Sequence, residues 1–166
     1  MTELYPFSSH SLQLEKLRYH YLDEGSSGNE PLLMLHGNPT WSFYYRNLIL
    51  GLKDSYRCVV PDHMGMWKSD KPQNYPYTLS QHIDNVEKLT DHLKLDNITL
   101  VVHDWGGAIG MGFAVRHPER IRRLVIFNTA AFLSREIPLR LRLCRLPGFG
   151  ALAIRGFNAF AKGAIR

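Results

Sequence analysis

An apolar run, Ile98 to His103, passes without a break into Asp104-Trp105-Gly106-Gly107 and then into a helical segment that ends near His117. A buried strand that feeds a helix through so tight a turn belongs to a parallel sheet with crossover connections. The rest of the chain repeats that alternation. His10–Leu14 and Leu17–Tyr21 read as two short opening strands. Leu32–Leu35 reads as a strand buried on both faces, Trp41–Leu52 as a helix, Tyr56–Val60 as a strand and Ile121–Phe127 as a further strand. Thr78 opens the clearest helix. Thr78 and Gln81 have the spacing of a capping box, and Leu79, Ile83, Val86, Leu89 and Leu93 follow at intervals of three or four. The expected fold class is α/β, a mostly parallel sheet with flanking helices. Leu139–Leu146 alternates Leu and Arg in part and fits either a short strand or the start of a helix.

Composition narrows the class. The 166 residues hold one sizeable core, with 45% apolar and 21% charged side chains. No run approaches the ~18 apolar residues of a membrane helix, so no stable membrane span is expected. Met1 to His20 mixes Glu3, Glu15, Lys16 and Arg18 among apolar residues, unlike a signal peptide. The two cysteines, Cys58 and Cys144, fit a reducing compartment, and a cytoplasmic protein is expected. The net charge of +5 hides a split: residues 1–119 carry ten basic and fourteen acidic side chains, residues 120–166 ten basic and one acidic, Glu136. The basic residues of the second part sit among Leu, Ile and Phe. That reads as the solvated face of helices, with no nucleic-acid partner. Scattered histidines without Cys-x-x-Cys or His-x-x-x-His spacing imply no metal, and Gly106-Gly107 lacks the further glycines of a dinucleotide loop, so no cofactor is expected.

The strand–turn–helix at 102–107 carries the chemistry. In α/β-hydrolases such a turn presents the nucleophile, with small residues where strand and helix approach. Asp104 stands at the nucleophile position, Gly106 and Gly107 supply the small positions, and the helix N-terminus that follows favours negative charge. On these residues alone Asp104 is equally well a simple N-cap. A second segment, His36-Gly37-Asn38-Pro39-Thr40-Trp41, follows the Leu32–Leu35 strand, where this fold places one oxyanion-hole N–H, the other coming from the residue after the nucleophile. Asn38 and Trp105 are the candidate donors, through their backbone N–H groups and also through a neutral amide and indole suited to a weakly hydrated halide. A turn role for Asn38 and core packing for Trp105 remain the alternatives. His36 and Gly37 shape the loop.

HGNPTWSFYYRNL (36–48), PDHMG…SDKP (61–72), VVHDWGGAIGMG (101–112) and FNTAAF (127–132) resemble haloalkane dehalogenases of the α/β-hydrolase fold, from about Leu4 across nearly the whole chain. Arg155-Gly156-Phe157-Asn158-Ala159-Phe160 is similar to the subgroup that includes β-lactone decarboxylases of long-chain olefin synthesis. The resemblance implies that Asp104 attacks an sp3 carbon to form an alkyl ester, that Asn38 and Trp105 hold the leaving halide, and that a histidine then activates water. The implied substrate is a small apolar haloalkane or β-lactone. Epoxide hydrolases share DWGG but usually have an aromatic residue in place of Asn38, and fluoroacetate dehalogenases usually have Arg in place of Trp105.

The resemblance also implies a late acid and histidine, which this sequence lacks. After Asp104 the only histidine is His117, about twelve helical residues and roughly 18 Å away. Asn128 stands where some dehalogenases carry the acid. The chain therefore reads as the first part of a longer protein: residues 1–132 are the N-terminal part of an α/β-hydrolase core truncated after about the sixth strand, and 133–166 the start of an incomplete helical cap. Dependence on the missing segment is expected, and a non-catalytic interaction module remains an alternative. Trp67 stands where the family usually has glycine, so a positive φ there would strain the loop.

Overall fold

The computed structural model describes residues 4–130, 139–146 and 148–157. The end of the FNTAAF motif, the expected first turn of the cap at 133–138 and the Asn158–Phe160 end of the second motif lie outside them. The chain divides into two compact units, 1–131 and 132–166. In the second, α4 spans Leu139–Cys144, so the Leu/Arg alternation forms a helix, and α5 over Phe149–Ala151 widens into a π-turn at Leu152–Gly156.

The first unit is a six-stranded sheet of β1 (His10–Leu14), β2 (Leu17–Glu24), β3 (Pro31–Leu35), β4 (Arg57–Pro61), β5 (Ile98–His103) and β6 (Ile121–Phe127), in the order β1-β2-β4-β3-β5-β6. β1, β2 and β4 pair antiparallel; β4, β3, β5 and β6 pair parallel. Side chains of the central strands divide by parity. Leu33, Leu35, Val59, Leu100 and Val102 pack on α2 (Leu79–His92) and α3 (Trp105–Arg116). Leu32, Met34, Cys58, Val60 and Val101 pack with Tyr45 and with Ile49 of α1 (Arg46–Leu52). Two buried faces explain the unbroken apolar runs. Burial also pushes the Cys58 thiol up to about 11, which leaves it an inert small hydrophobe. β6 differs: its last four side chains, Leu124 to Phe127, are 36 to 55% exposed, and among the described residues it pairs only with β5. No helix among the described residues is long and apolar enough to cross a membrane.

The helix expected over Trp41–Leu52 begins instead as a 3-10 turn, Ser42–Tyr45, before α1. The turn is fixed from below. Ser42 N–H donates to Asp62 Oδ1 at 2.9 Å, and His20 Nδ1 lies 2.7 Å from Asp62 Oδ2. Burial works against the Asp62 charge, but these hydrogen bonds prevail and hold its pKa below the usual value. The capping box at Thr78 forms by half: Thr78 Oγ1 accepts from Gln81 N–H at 3.3 Å, while the Gln81 amide turns to Asn85.

Just past the ends of β3 and β4 stand two buried histidines, His36 and His63, whose rings lie 4.4 Å apart, and His82 of α2 packs 5.7 Å from His63. His36 Nε2 accepts from His63 N–H, so the ring proton sits on Nδ1, which donates to Gly37 O at 2.8 Å. His63 Nε2 donates to His36 O at 3.1 Å. Desolvation lowers the pKa of all three, His63 most. The unfolded chain therefore binds protons on them before the folded chain does. Stability they supply is present above the unfolded value of about 6.5 and is lost as pH falls below it, at up to about 1.4 kcal/mol per pH unit for each imidazole. Thermal melts from about pH 8 to about pH 5 should show a midpoint that drops steeply below about 6.5, and His82→Phe should flatten that slope.

Candidate active site

Parallel register brings the site together. Leu35 stands beside Val102 in the β3–β5 ladder, so Gly37 and Asp104, each two residues further on, emerge side by side at the C-terminal edge. Asp104 turns the chain sharply, with φ +50° and ψ −123°, and α3 starts at the next residue. Its side chain makes no capping bond to the helix. Asp104 Oδ1 instead accepts from the backbone N–H of Asn38 at 2.9 Å. That contact excludes any side chain at Gly37, where a Cβ would stand 2.4 Å from Asp104 Oδ1. Gly106 is equally constrained, since a Cβ there would come within 2.1 Å of Leu35 O.

The Asn38 loop is anchored through the carbonyl of Gly37. That one oxygen accepts from His36 Nδ1 at 2.8 Å, Thr40 Oγ1 at 2.9 Å and Thr40 N–H at 3.2 Å. The loop cannot roll, so the Asn38 N–H stays aimed at the carboxylate. The Asn38-Pro39 peptide is cis. On the other side Thr129 packs on Gly107 and donates its hydroxyl to the backbone carbonyl of Asp104, which also accepts from Gly107 N–H at 3.0 Å. Sequence reasoning missed Thr129. Its one signal is its place directly after Asn128, where β6 ends level with β5.

The Trp105 side chain is 43% exposed and walls two adjoining spaces. One is an open cleft formed with Asp104, Asn128, Thr129 and Ala130. The other is a cavity of about 370 Å3 reached past Gly37 and Asn38, and bounded by His63, Met64, Met66, Tyr77 and His82. Two histidines that the sequence did not single out thus line a space beside both candidate donors. Among the described residues, Nδ1 of each is buried without a hydrogen-bond partner.

The remaining histidines stand apart. His103 stacks on Tyr44 with ring centroids 4.3 Å apart. His117 follows the last residue of α3 and lies 2.9 Å from Glu87. Trp67 has the positive φ that its position demanded, +35°, and its ring stacks on Trp41 at 5.0 Å, which offsets part of the strain. Among the described residues no group of three or more His, Cys, Asp or Glu could hold a metal ion.

Known proteins share this arrangement of sequence and fold. The chain is 54% identical over 164 residues to a cis-3-alkyl-4-alkyloxetan-2-one decarboxylase of Shewanella oneidensis, a match over 95% of this chain and 51% of that protein. It is 42% identical over 127 residues to haloalkane dehalogenase 2 of Mycobacterium tuberculosis, over 76% of this chain and 44% of that one. The crystal structure of haloalkane dehalogenase DbeA from Bradyrhizobium elkani superimposes with a TM-score of 0.87 at 28% identity, covering 96% of this chain and 57% of that one. The chain spans about half the length of the curated relatives it matches. A family model described as the alpha/beta hydrolase fold matches residues 30–147, most of the chain, including every strand that builds the parallel part of the sheet; the chain belongs to the alpha/beta hydrolase fold family.

Proposed function

We propose that Asp104 is a carboxylate nucleophile that displaces a leaving group from an sp3 carbon. The observation that carries this reading is the 2.9 Å contact between Asn38 N–H and Asp104 Oδ1. It makes the two carboxylate oxygens unequal. Oδ1 is held, and Oδ2 is left to attack. When Oδ2 becomes the ester oxygen, Oδ1 becomes the ester carbonyl, already hydrogen-bonded by the group that would stabilise an oxyanion there. Asp suits this task because its carboxylate needs no base to expose a lone pair, and Thr129 holds its backbone from behind.

For the substrate, the match over 95% of the chain favours a cis-3,4-dialkyl β-lactone. Asp104 Oδ2 attacks the ring carbon that bears the ring oxygen, that carbon–oxygen bond breaks, and a free carboxylate remains on the neighbouring carbon. The bond from that neighbouring carbon to the carboxylate then breaks. Its electron pair forms the alkene, carbon dioxide departs, and the ester oxygen returns to Asp104. The sum is lactone to alkene and carbon dioxide. A haloalkane is the second reading, favoured by the two neutral side-chain donors Asn38 and Trp105, which would hold the departing halide. There the alkyl ester must be hydrolysed by water. Among the described residues no histidine is hydrogen-bonded to Asp104: His36 has both ring nitrogens engaged, His63 and His82 line the neighbouring cavity, His103 stacks on Tyr44 and His117 lies beyond the far end of α3. We assign the base and its acid to residues outside this sequence. The supporting roles of Gly37, Gly106 and Gly107 are close approach, and that of His36 is to anchor the loop.

Two substrates separate the readings. With a long-chain cis-β-lactone the protein should release alkene, and Asp104→Asn should reduce that release by at least about a thousandfold. With a bromoalkane the same chain should gain the mass of one alkyl group on Asp104. Alkene release unchanged in Asp104→Asn, with no alkyl adduct on Asp104, would remove Asp104 from the chemistry. Thr129→Val should lower the rate of either step on the order of three- to tenfold with little change in KM, because it loosens the nucleophile and touches no substrate, and Thr129→Ser should restore it.

A further inference from the structure

Between β4 and α2 the chain makes a tight turn that the site at Asp104 does not use. Ser69 N–H donates to Met66 O at 3.0 Å, which leaves Trp67 and Lys68 at the two central positions. Trp67 takes φ +35° there. A positive φ at the first central position is the place of glycine in a type II′ turn, and a bulky side chain is strained in it. The turn is braced from several sides. Gly65 N–H donates to Asp70 O at 2.8 Å, Asp70 N–H to Arg18 O at 3.0 Å, and the Lys71 ammonium to the carbonyls of Trp67 and Ser69. Backbone strain held by so many bonds points to a use for the side chain that stands there.

Burial is not that use. The indole stacks on Trp41 at 5.0 Å, which fixes its plane, yet Trp67 remains 43% exposed. Lys68 and Lys71 are exposed beside it. Among the described residues their ammonium groups meet neutral oxygens alone, Ser9 Oγ at 2.6 Å for Lys68 and the two carbonyls for Lys71. Asp70, the acid nearest them in sequence, is engaged by Arg18 through its N–H at 2.8 Å and its guanidinium at 3.5 Å. Tyr77, 45% exposed, packs its ring on Gly65 and donates to Pro72 O at 2.9 Å, so a second aromatic side chain stands beside the same loop. Met64, Gly65 and Met66, which lead into the turn, wall the cavity beside Asn38 and Trp105.

We propose that the turn at Trp67 and Lys68 docks the protein on an anionic lipid surface. An indole or a phenol has an apolar body and a polar tip, and it settles at the boundary between headgroups and acyl chains. Lysines that no carboxylate neutralises are drawn to anionic headgroups. Exposed aromatic rings set among such lysines meet both demands at once. In water alone the turn is better served by glycine. Docking brings the wall of the cavity, continuous with the turn, up to a phase in which apolar molecules dissolve. It does not depend on the role of Asp104.

The test is sedimentation of the full chain with sucrose-loaded vesicles, made of phosphatidylcholine alone or of equal parts phosphatidylcholine and phosphatidylglycerol. Partition onto the anionic vesicles should exceed that onto the neutral ones on the order of tenfold, and should weaken as salt is added. Trp67→Gly gives the turn the residue its backbone favours, so the variant should fold, and its partition should fall on the order of tenfold. Lys68→Gln combined with Lys71→Gln keeps a donor for each neutral oxygen and removes both charges. It should reduce anionic partition by a similar factor and leave neutral partition unchanged. Arg142→Gln combined with Arg145→Gln removes two exposed charges of the second unit and should leave both unchanged. Thermal melts establish that each variant is folded. Equal binding to the two kinds of vesicle, partition unmoved in Trp67→Gly or in the lysine pair, or the same loss from the arginine pair as from the lysine pair would overturn the proposal.

Discussion

One hydrogen bond, from the backbone N–H of Asn38 to Oδ1 of Asp104, ties the ends of two neighbouring parallel strands together at 2.9 Å. The surrounding structure answers to it. The N–H and the carboxylate meet only because the loop after β3 carries no side chain at Gly37 and because α3 starts against Leu35 O with no side chain at Gly106. Both backbones are fixed through their carbonyls, Gly37 O by His36 and Thr40, and Asp104 O by Gly107 and Thr129. On the role proposed for Asp104 the arrangement is pre-organised: the donor is in place before the ester carbonyl it would serve is formed.

Beneath that bond lies a layer of buried imidazoles that the loop depends on. His36 can anchor Gly37 O only while its Nδ1 holds the proton, and the His63 N–H fixes that tautomer by donating to Nε2. Protonating His36 would replace an accepting nitrogen by a donor facing another donor. The same layer reaches the far side of the sheet by another route, through His20, Asp62 and Ser42, where the 3-10 turn begins. Two chains of buried hydrogen bonds thus set where the loop starts and where it ends.

Much of this was legible in the residues. β1, β5 and β6 have the bounds read from the sequence, and for β5 the reason is plain, because a strand buried on both faces writes an unbroken apolar run. The turn at Asp104 was legible through its two glycines; the side chain at that turn makes no capping bond to α3 and accepts from Asn38 N–H instead. Other features have no sequence signal. Thr129 acts across the gap between β6 and α3, a contact with no fixed spacing. His63 and His82 lie one after β4 and the other in α2, and nothing local to either shows that their rings pack together. β6 ends in an apolar run, Leu124–Phe127, that is nevertheless exposed, since hydropathy shows what a strand can bury and not what covers it.

The two reactions proposed at Asp104 ask different things of the same geometry. A halide, once displaced, leaves a stable ester, and the oxygen held by Asn38 must then carry negative charge while water adds to the ester carbon. That route needs a base. A lactone carboxylate stays attached to the substrate after it is displaced, and its loss as carbon dioxide drives the electron pair toward the carbon that holds the ester. Asp104 is then the leaving group, and the Asn38 N–H stabilises it as it departs. The donor that aims the attack thereby also eases the release, so one fixed hydrogen bond serves both ends of that cycle without a proton changing place.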